Sequence, residues 1–140
     1  MSKVAIVIQA RLASKRLPQK ILCRLRRATA LEELYRRCEA SKAADCVVVA
    51  CPPQDELPIF QATGIVPQVG PEKDLLSRII MAGQAVGADT VVRVTADCPL
   101  ADPQMIDRMI ALKGASQVVT GAEIVTNTKQ RTFPDGMDLE

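Results

Sequence analysis

The stretch that decides the fold is Val4-Ala-Ile-Val-Ile8, which runs directly into Gln9-Ala-Arg11-Leu-Ala-Ser14-Lys15-Arg16-Leu-Pro18-Gln-Lys20. The first part is a short run of apolar, mostly β-branched residues, which is typical of a buried strand. The second part is a polar turn rich in cations. This order predicts a strand that delivers positive side chains to an anion at its carboxyl end.

The positive charge of the chain is concentrated near its N-terminus. Eight of the 18 Lys and Arg residues lie in the first 27 positions, which contain no Asp or Glu. Residues 28–140 therefore carry ten positive side chains against all 16 negative ones. The small net charge of +2 hides this polarity, which favours a local anion site over a uniformly basic surface.

Length and composition indicate one domain over residues 1–140. With 48% hydrophobic residues the chain has enough apolar material for one core. No apolar run approaches the roughly 20 residues of a membrane helix, and the N-terminal segment lacks the pattern of a secretory signal. We therefore expect a soluble, cytoplasmic protein. Aromatic residues make up only 2% of the chain, which disfavours binding of single-stranded nucleic acid by stacking.

Cysteine and histidine usage excludes several enzyme classes. The five cysteines form no C-x-x-C pair, and histidine is absent. An odd number of unpaired cysteines fits a reduced, cytosolic chain. Without histidine there is no Ser-His-Asp or Cys-His relay and no His-ligated zinc. Cys98, beside Asp97, is interpreted as a small packing residue.

Strand-like runs alternate with helical spacing along the chain, which predicts an α/β fold: a three-layer sandwich with a mostly parallel sheet. The apolar runs predicted as strands are Val4–Ile8, Cys46–Ala50, Ile65–Val69, Thr90–Thr95 and Gln117–Val119.

Apolar periodicity and capping residues predict the helices. One helix presents Leu31, Leu34, Tyr35 and Cys38 to the sheet, at the i, i+3, i+4 and i+7 positions. The other predicted helices are one that begins after Asp74 and ends before Gly87, one that has Asp102 as N-cap and Pro103 first and stops at Gly114, and a weaker one over Pro52–Thr63 that Pro58 interrupts and Gly64 closes.

Two loops carry the residues suited to chemistry. In an open parallel sheet, ligands lie outside the carboxyl ends of the strands, where the strand order reverses. If the order is 3-2-1-4, the basic loop after the first strand and the Asp97 loop after Thr90–Thr95 are neighbours. Cations there would neutralise phosphate oxygens while Asp97 holds Mg²⁺. Taken singly, the basic cluster also fits a solvated face, and Asp97 also fits an Asx turn.

The basic loop matches neither common nucleotide motif. It lacks the G-x-x-x-x-G-K-[ST] pattern of P-loop ATPases and the G-x-G-x-x-G pattern of dinucleotide-binding proteins. Pro18 fixes its own backbone and restricts Leu17, so the cations are held in a defined arc. This stiffness favours a binding role.

Three ordered motifs make the chain recognisable: Ala10-Arg-x-x-Ser-x-Arg-Leu-Pro-x-Lys20, Val92-Arg-Val-Thr-Ala-Asp-Cys-Pro-Leu100 with Asp102-Pro103, and Phe133-Pro-Asp-Gly-Met-Asp-Leu-Glu140. The chain resembles the cytidylyltransferase family that activates acidic sugars, and especially the branch similar to the spore-coat polysaccharide biosynthesis protein F. The resemblance implies a nucleotide-diphospho-sugar transferase fold with a Rossmann-like N-terminal half.

The resemblance also implies an activity, which is transfer of CMP from CTP to a sugar with Mg²⁺ and release of pyrophosphate. It further implies a homodimer, because a later segment of the family builds the dimer interface. The site residues carried over by the motifs are Arg11, Lys20 and Asp97 as catalytic, Asp97 as metal ligand, Ala10, Arg11, Ser14, Arg16, Lys20 and Arg93 as nucleotide-binding, and Asp135, Asp138 and Glu140 on the sugar side.

The chain departs from the family pattern at several glycines and in length. Ala13, Gln19 and Ala96 stand where the family commonly has Gly, and Arg26-Arg27 replaces a Gly-rich turn. Family members continue well beyond the motif that ends at Glu140, so we expect the domain to be incomplete at its C-terminus. Two alternatives therefore stay open: a catalytically silent nucleotide-binding or assembly module, and a basic nucleic-acid binder.

Overall fold

A central parallel sheet organises the protein, as a computed structural model shows for residues 2–119, 124–127 and 139. The strands are β1 (Val4–Gln9), β2 (Arg24–Leu25), β3 (Ala28–Thr29), β4 (Cys46–Cys51), β5 (Gln68–Val69) and β6 (Thr90–Thr95). Within the described residues the central sheet has the order β5-β4-β1-β6, and β2 and β3 form a separate antiparallel hairpin.

Helices cover both faces of this sheet. Their bounds are α1 (Ala30–Glu39), α2 (Glu56–Thr63), α3 (Leu75–Ala85) and α4 (Pro103–Val119). On one face, side chains of α1, α2 and α4 pack with alternate residues of the strands, for example Ile6 with Leu34 and Ile106. On the other face Val7 packs with Ile79 and Ala82 of α3. The predicted three-layer α/β fold is confirmed.

Strand β1 occupies the middle of the sheet and is buried between two parallel partners. Its residues 5–8 are fully buried, because β4 and β6 pair with its two edges and helices cover its two faces. Gln9 is the Cα partner of Ala50 in β4 and of Thr95 in β6, so these three strands end level with one another. The predicted order 3-2-1-4 counts only the strands of the central sheet, which are β5, β4, β1 and β6 in the structure. This order, on which the meeting of the two loops depends, is confirmed.

Local sequence signals account for the start of the helices. The hydroxyl of Thr29 accepts from the N–H of Glu32, and the Glu32 carboxylate accepts from the N–H of Thr29, which forms a reciprocal capping box for α1. The Asp74 carboxylate accepts from the N–H of Ser77 at the start of α3, as predicted. The backbone N–H of Gln104 donates to the Asp102 carboxylate at the start of α4.

The predicted strand Gln117–Val119 is wrong, because these residues form the end of α4. The helix was expected to stop at Gly114, but this glycine does not adopt the left-handed conformation that ends a helix. A glycine inside a helix costs only about 1 kcal/mol relative to alanine, and a segment with two adjacent valines is too short to distinguish a strand from a helix.

Two prolines explain smaller differences from prediction. The predicted strand Ile65–Val69 is shortened to Gln68–Val69, since Pro67 has no N–H to donate and restricts Val66. Pro58 does not interrupt α2 but lies in its first turn, where a backbone N–H has no partner within the helix. As predicted, Gly64 closes this helix, with a φ of 74°.

No helix in the part of the chain that the structure describes is long and apolar enough to cross a membrane.

Candidate functional site

Backbone hydrogen bonds fix the loop that follows β1. The N–H of Ala10 donates to the carbonyl of Ala50 at 2.9 Å and continues the pairing of β1 with β4. The N–H of Gln19 donates to the carbonyl of Leu12 at 3.0 Å, and this hydrogen bond joins the two ends of the loop. Residues 13–18 are therefore held as one compact arc, which agrees with the stiffness predicted from Pro18.

A buried carboxylate anchors this loop to the rest of the molecule. Oδ2 of Asp55 accepts from the backbone N–H of Leu12 at 2.9 Å. Both residues are buried, with exposed fractions of 6% and 8%. A charged side chain is rarely buried unless it is well hydrogen-bonded, so this contact ties the loop firmly to the segment after β4.

The loop ends in a short turn that presents Lys20. Residues Lys20–Leu22 form a 3₁₀ helix, and Gln19 before them has a φ of 55° in the left-handed region. This conformation favours glycine, because a Cβ crowds the following carbonyl. Ser14 lies across the same arc and accepts from the N–H of Leu17 at 3.4 Å.

The loop that follows β6 is held by its own turn. The N–H of Ala96 donates to the carbonyl of Gln9, which ties this loop to the end of β1. The N–H of Cys98 donates to the carbonyl of Thr95 at 3.0 Å, and the Thr95 hydroxyl lies 3.2 Å from the Cys98 sulfur. Cys98 is buried, as its interpretation as a packing residue predicts, while Asp97 between these anchors is exposed.

The two loops meet at the side chains of Lys20 and Asp97. Nζ of Lys20 lies 3.0 Å from Oδ2 of Asp97, and about a third and a half of the two side chains are exposed. Both residues line an open cavity of about 580 Å³, whose wall also includes Arg11, Ser14 and Arg16. A smaller cavity of about 90 Å³ lies against Gln9 and Thr95 at the ends of the strands.

The structure brings most, but not all, of the predicted site residues together. Arg11, Ser14, Arg16, Lys20 and Asp97 share the larger cavity. Ala10 is fully buried and lines neither cavity. Arg93 lies on β6 and lines neither cavity, but its Nε donates to Oε1 of Gln9 at 3.0 Å, and Gln9 lines the smaller cavity. The predicted sugar-side residues, which are Asp135, Asp138 and Glu140, lie outside the described residues.

Two features in or beside the site were not predicted. Asp55 anchors the basic loop, but nothing in its local sequence indicates a partner 43 residues away. The hairpin of β2 and β3 lies directly after the loop, and its turn carries Arg26 with a φ of 58°. A Gly or Asn would have indicated this turn, and the chain has neither there.

The thiol of Cys51, at the end of β4, does not contribute charge to the region of the site. Burial raises the pKa of the Cys51 thiol to about 11, and the nearby carboxylates of Asp55 and Glu56 add to this rise. Cys51 is therefore a neutral thiol at physiological pH and has little nucleophilic character.

Among residues 2–119, 124–127 and 139, no group of three or more His, Cys, Asp or Glu forms a metal-binding cluster. Asp97 contributes a carboxylate to the cavity beside the basic loop.

A parallel sheet with helices on both faces, and with charged loops at the carboxyl ends of β1 and β6, is the architecture of a nucleotidyltransferase of the nucleotide-diphospho-sugar transferase type. The chain belongs to the cytidylyltransferase family, whose model matches residues 5–135. The match includes both loops of the candidate site.

Comparison with individual solved structures supports this assignment. The fold is similar to that of a cytidylyltransferase from Leptospira borgpetersenii, with a TM-score of 0.87, 36% identity and coverage of 99% of this chain and 59% of that one. It is also similar to a CMP:2-keto-3-deoxy-manno-octonic acid synthetase solved with CTP, with a TM-score of 0.71, 26% identity and coverage of 81% and 48%.

The resemblance to the spore-coat branch is also confirmed. The spore coat polysaccharide biosynthesis protein SpsF of Bacillus subtilis is 32% identical over 118 residues, which are 79% of this chain and 49% of that protein. The chain spans about half the length of the curated relatives it matches.

Proposed function

We propose that the chain supplies the nucleotide-binding part of a cytidylyltransferase, which transfers CMP from CTP to a sugar and releases pyrophosphate. The observation that carries this proposal is the meeting of the basic loop and Asp97 in one cavity of about 580 Å³. Membership of the family supports CTP as the donor, and so does the similar synthetase that was solved with CTP.

The basic loop is suited to a triphosphate. Four cations line one cavity, and the hydroxyl of Ser14 adds a neutral donor; the cations are Arg11, Lys15, Arg16 and Lys20. In the proposed reaction an oxygen of the sugar bonds to the α-phosphorus, and the bond from that phosphorus to the bridging oxygen breaks. Pyrophosphate leaves with the electron pair, and the sugar hydroxyl loses its proton to water. Cations that the loop already holds in place before the reaction stabilise the negative charge that develops on pyrophosphate.

Asp97 is suited to Mg²⁺ that is shared with the nucleotide. Mg²⁺ keeps several waters and binds through one or two carboxylates together with substrate phosphates, so a single exposed aspartate beside a phosphate-binding loop fits it. When bound, Mg²⁺ would polarise phosphate oxygens and neutralise their charge. In the free protein this carboxylate pairs with Lys20, and phosphate oxygens would take over the ammonium group.

The names of the similar proteins support an acidic sugar, or another sugar of a surface polysaccharide, as acceptor. Contacts of Ala10 and Arg93 with the nucleotide, and of Asp135, Asp138 and Glu140 with the sugar, stay predictions. The same is true of a homodimer. A cytoplasmic location, which the free cysteines favour, belongs to this proposal as well.

Thermal melting with and without MgCTP tests the proposal. We expect MgCTP to raise the melting temperature, because a ligand that binds only the folded state stabilises it. Lys20→Ala and Asp97→Asn are each expected to abolish the rise. The matched controls are Lys3→Ala and Glu39→Gln, which change the same charges at exposed positions outside both cavities.

Identical melting curves with and without MgCTP would contradict the proposal, and so would an equal rise in all four variants. A parallel series with ATP, GTP and UTP tests the preference for cytosine. We expect MgCTP to give the largest rise of the four nucleotides at equal concentration.

The second candidate function is a catalytically silent nucleotide-binding or assembly module. It is favoured by the strained Gln19, which stands where the family commonly has glycine. Release of pyrophosphate from CTP in the presence of a panel of acidic sugars separates the two functions. Turnover excludes the silent module, whereas binding of CTP without turnover supports it.

A further inference from the structure

A broad groove beside the β2–β3 hairpin is rich in arginine and is not part of the candidate site. Its volume is about 880 Å³, which lies within the range of small-molecule sites. It shares no residue with the two cavities around Lys20 and Asp97. We call it the arginine groove; it is lined by Arg24, Leu25, Arg26, Arg27, Ala28, Glu33, Arg37 and Leu100.

Most of the positive charge in this groove has no carboxylate partner among the described residues. The hairpin has three arginines and no acidic residue. The one carboxylate in the lining, that of Glu33, already binds two guanidinium groups: Nη2 of Arg36 lies 2.8 Å from it and Nε of Arg37 lies 2.9 Å from it. Among the described residues, no ion pair involves the three hairpin arginines.

The hairpin holds these arginines in a defined geometry. Nη2 of Arg24 donates to the carbonyl of Arg27 at 3.1 Å, which links one side of the turn to the other. Arg26 has a φ of 58°, a conformation that is rare for a bulky residue because its Cβ crowds the following carbonyl. A strained backbone that positions a charged side chain is more typical of a binding site than of a solvated surface.

Exposed apolar side chains lie beside the arginines. Leu25 is 43% exposed and Leu100 is 59% exposed, and both line the groove. A ligand that has an apolar body as well as anionic groups would therefore bury apolar surface and pair with guanidinium groups at the same time.

We propose that the arginine groove is a second oxyanion site, which binds a small ligand that carries carboxylate or phosphate groups on an apolar body. Arginine recognises both groups through paired N–H donors. The site lies next to the candidate nucleotide site along the chain, because Leu100 follows three residues after Asp97, but it binds its ligand independently of Lys20 and Asp97.

Amide chemical shifts measured during titration test this proposal. Phenyl phosphate and phthalate are the probes, since both combine an aromatic ring with a doubly charged anion, one through phosphate and the other through carboxylates. We expect the amides of Leu25, Ala28 and Leu100 to shift and saturate with at least one probe. The probe that saturates identifies the anionic group, and inorganic phosphate alone is expected to bind at least threefold more weakly than phenyl phosphate.

The double variant R26G/R27Q is expected to weaken probe binding at least tenfold. Glycine suits the backbone of residue 26, so this variant removes charge without loss of the turn, and dispersed amide signals confirm that it is folded. The control K3Q/K42Q removes two exposed positive charges elsewhere and is expected to change the affinity less than twofold.

Three results would overturn the proposal. The first is that neither probe shifts the hairpin amides. The second is that R26G/R27Q binds as tightly as the unmodified protein. The third is that only a DNA duplex shifts these amides, which would assign the hairpin to nucleic acid instead. Asp97→Asn is expected to leave the shifts at the hairpin unchanged, so this test does not depend on the proposed nucleotide function.

Discussion

The ammonium group of Lys20 lies 3.0 Å from the carboxylate of Asp97, although the two residues come from the loops after β1 and β6. Each neutralises the other in the free protein, and each is partly exposed to water. Exposed ion pairs contribute little to stability, because water and salt screen them and two side chains must be ordered. The pair is therefore more important for the charge of the cavity than for the fold.

Lys20→Gln is the first prediction. We expect it to lower the free energy of unfolding by less than about 1 kcal/mol, as measured by urea denaturation, because the lost ion pair is partly exposed. A loss above about 2 kcal/mol would show that the pair is structural. Such a loss would also remove the value of this variant as a probe of nucleotide binding.

The second prediction concerns Asp55, whose buried carboxylate accepts from the N–H of Leu12. Asp55→Ala leaves that buried donor without its partner, and we expect it to cost about 1–3 kcal/mol of unfolding free energy. Asp55→Asn keeps an acceptor oxygen and is expected to cost less than half as much.

Hydrogen exchange separates this local effect from a general loss of stability. We expect Asp55→Ala to accelerate exchange of the Leu12 amide, relative to the unmodified protein, more than it accelerates exchange of amides in the middle of β1, such as that of Ile6. Equal protection of Leu12 in the variant and in the unmodified protein would contradict the role of Asp55 as the anchor of the basic loop.

Gln19→Gly is the third prediction. Gln19 has a φ of 55°, and a left-handed conformation costs about 1–2 kcal/mol for a residue with a Cβ. Glycine removes this cost but adds about 0.5–1 kcal/mol of conformational entropy in the unfolded chain. We expect a net stabilisation of about 0.5–1 kcal/mol, measured by thermal and urea unfolding. Gln19→Ala keeps a Cβ, and stabilisation by it would argue against backbone strain as the cause.

The fourth prediction is a dependence of stability on pH through Asp107. Partial burial alone would raise the pKa of this carboxyl, but hydrogen bonds from the Ser41 hydroxyl and from the N–H groups of Ala43 and Lys42 lower it below its ordinary value. Its stabilisation is therefore complete above the pKa of the unfolded chain, and it is lost as the pH falls through the lower pKa of the folded state.

Measurements of unfolding free energy between pH 5 and pH 2 check this sign. We expect Asp107→Asn to make the fall in stability at acid pH shallower. Ser41→Ala removes one donor and is expected to move the pKa of Asp107 back towards its ordinary value, as followed by NMR titration of the carboxyl. A Ser41→Ala variant with an unchanged pKa would contradict the assigned cause.

The parts of the fold that the sequence predicts are those with local signals. The β-branched run of β1 is short, apolar and followed by a turn, so its burial follows from the pattern. Asp74 and Gly64 mark helix ends by their own side-chain or backbone chemistry. The meeting of Lys20 with Asp97 follows from a general property of parallel sheets, once β1 and β6 are adjacent.

The remaining features depend on distant or weak signals. The bond of Asp55 to Leu12 is set by the packing of β4 beside β1, which no local pattern contains. The hairpin around Arg26 has strands of two residues and no glycine at its turn, so propensity alone disfavours it. The extension of α4 beyond Gly114 is decided by helix continuity, because a glycine is permitted but not required to end a helix.

The position of β1 has a consequence for how the protein folds. Its two partners, β4 and β6, begin at Cys46 and Thr90, so during synthesis β1 has no partner strand before β4 is made and only one before β6 is made. Pairings of such high contact order form slowly and expose the nascent chain to aggregation. Because Asp97 directly follows β6, the pairing of β6 with β1 also brings Asp97 opposite the basic loop, so the described sheet and the candidate site form in the same step.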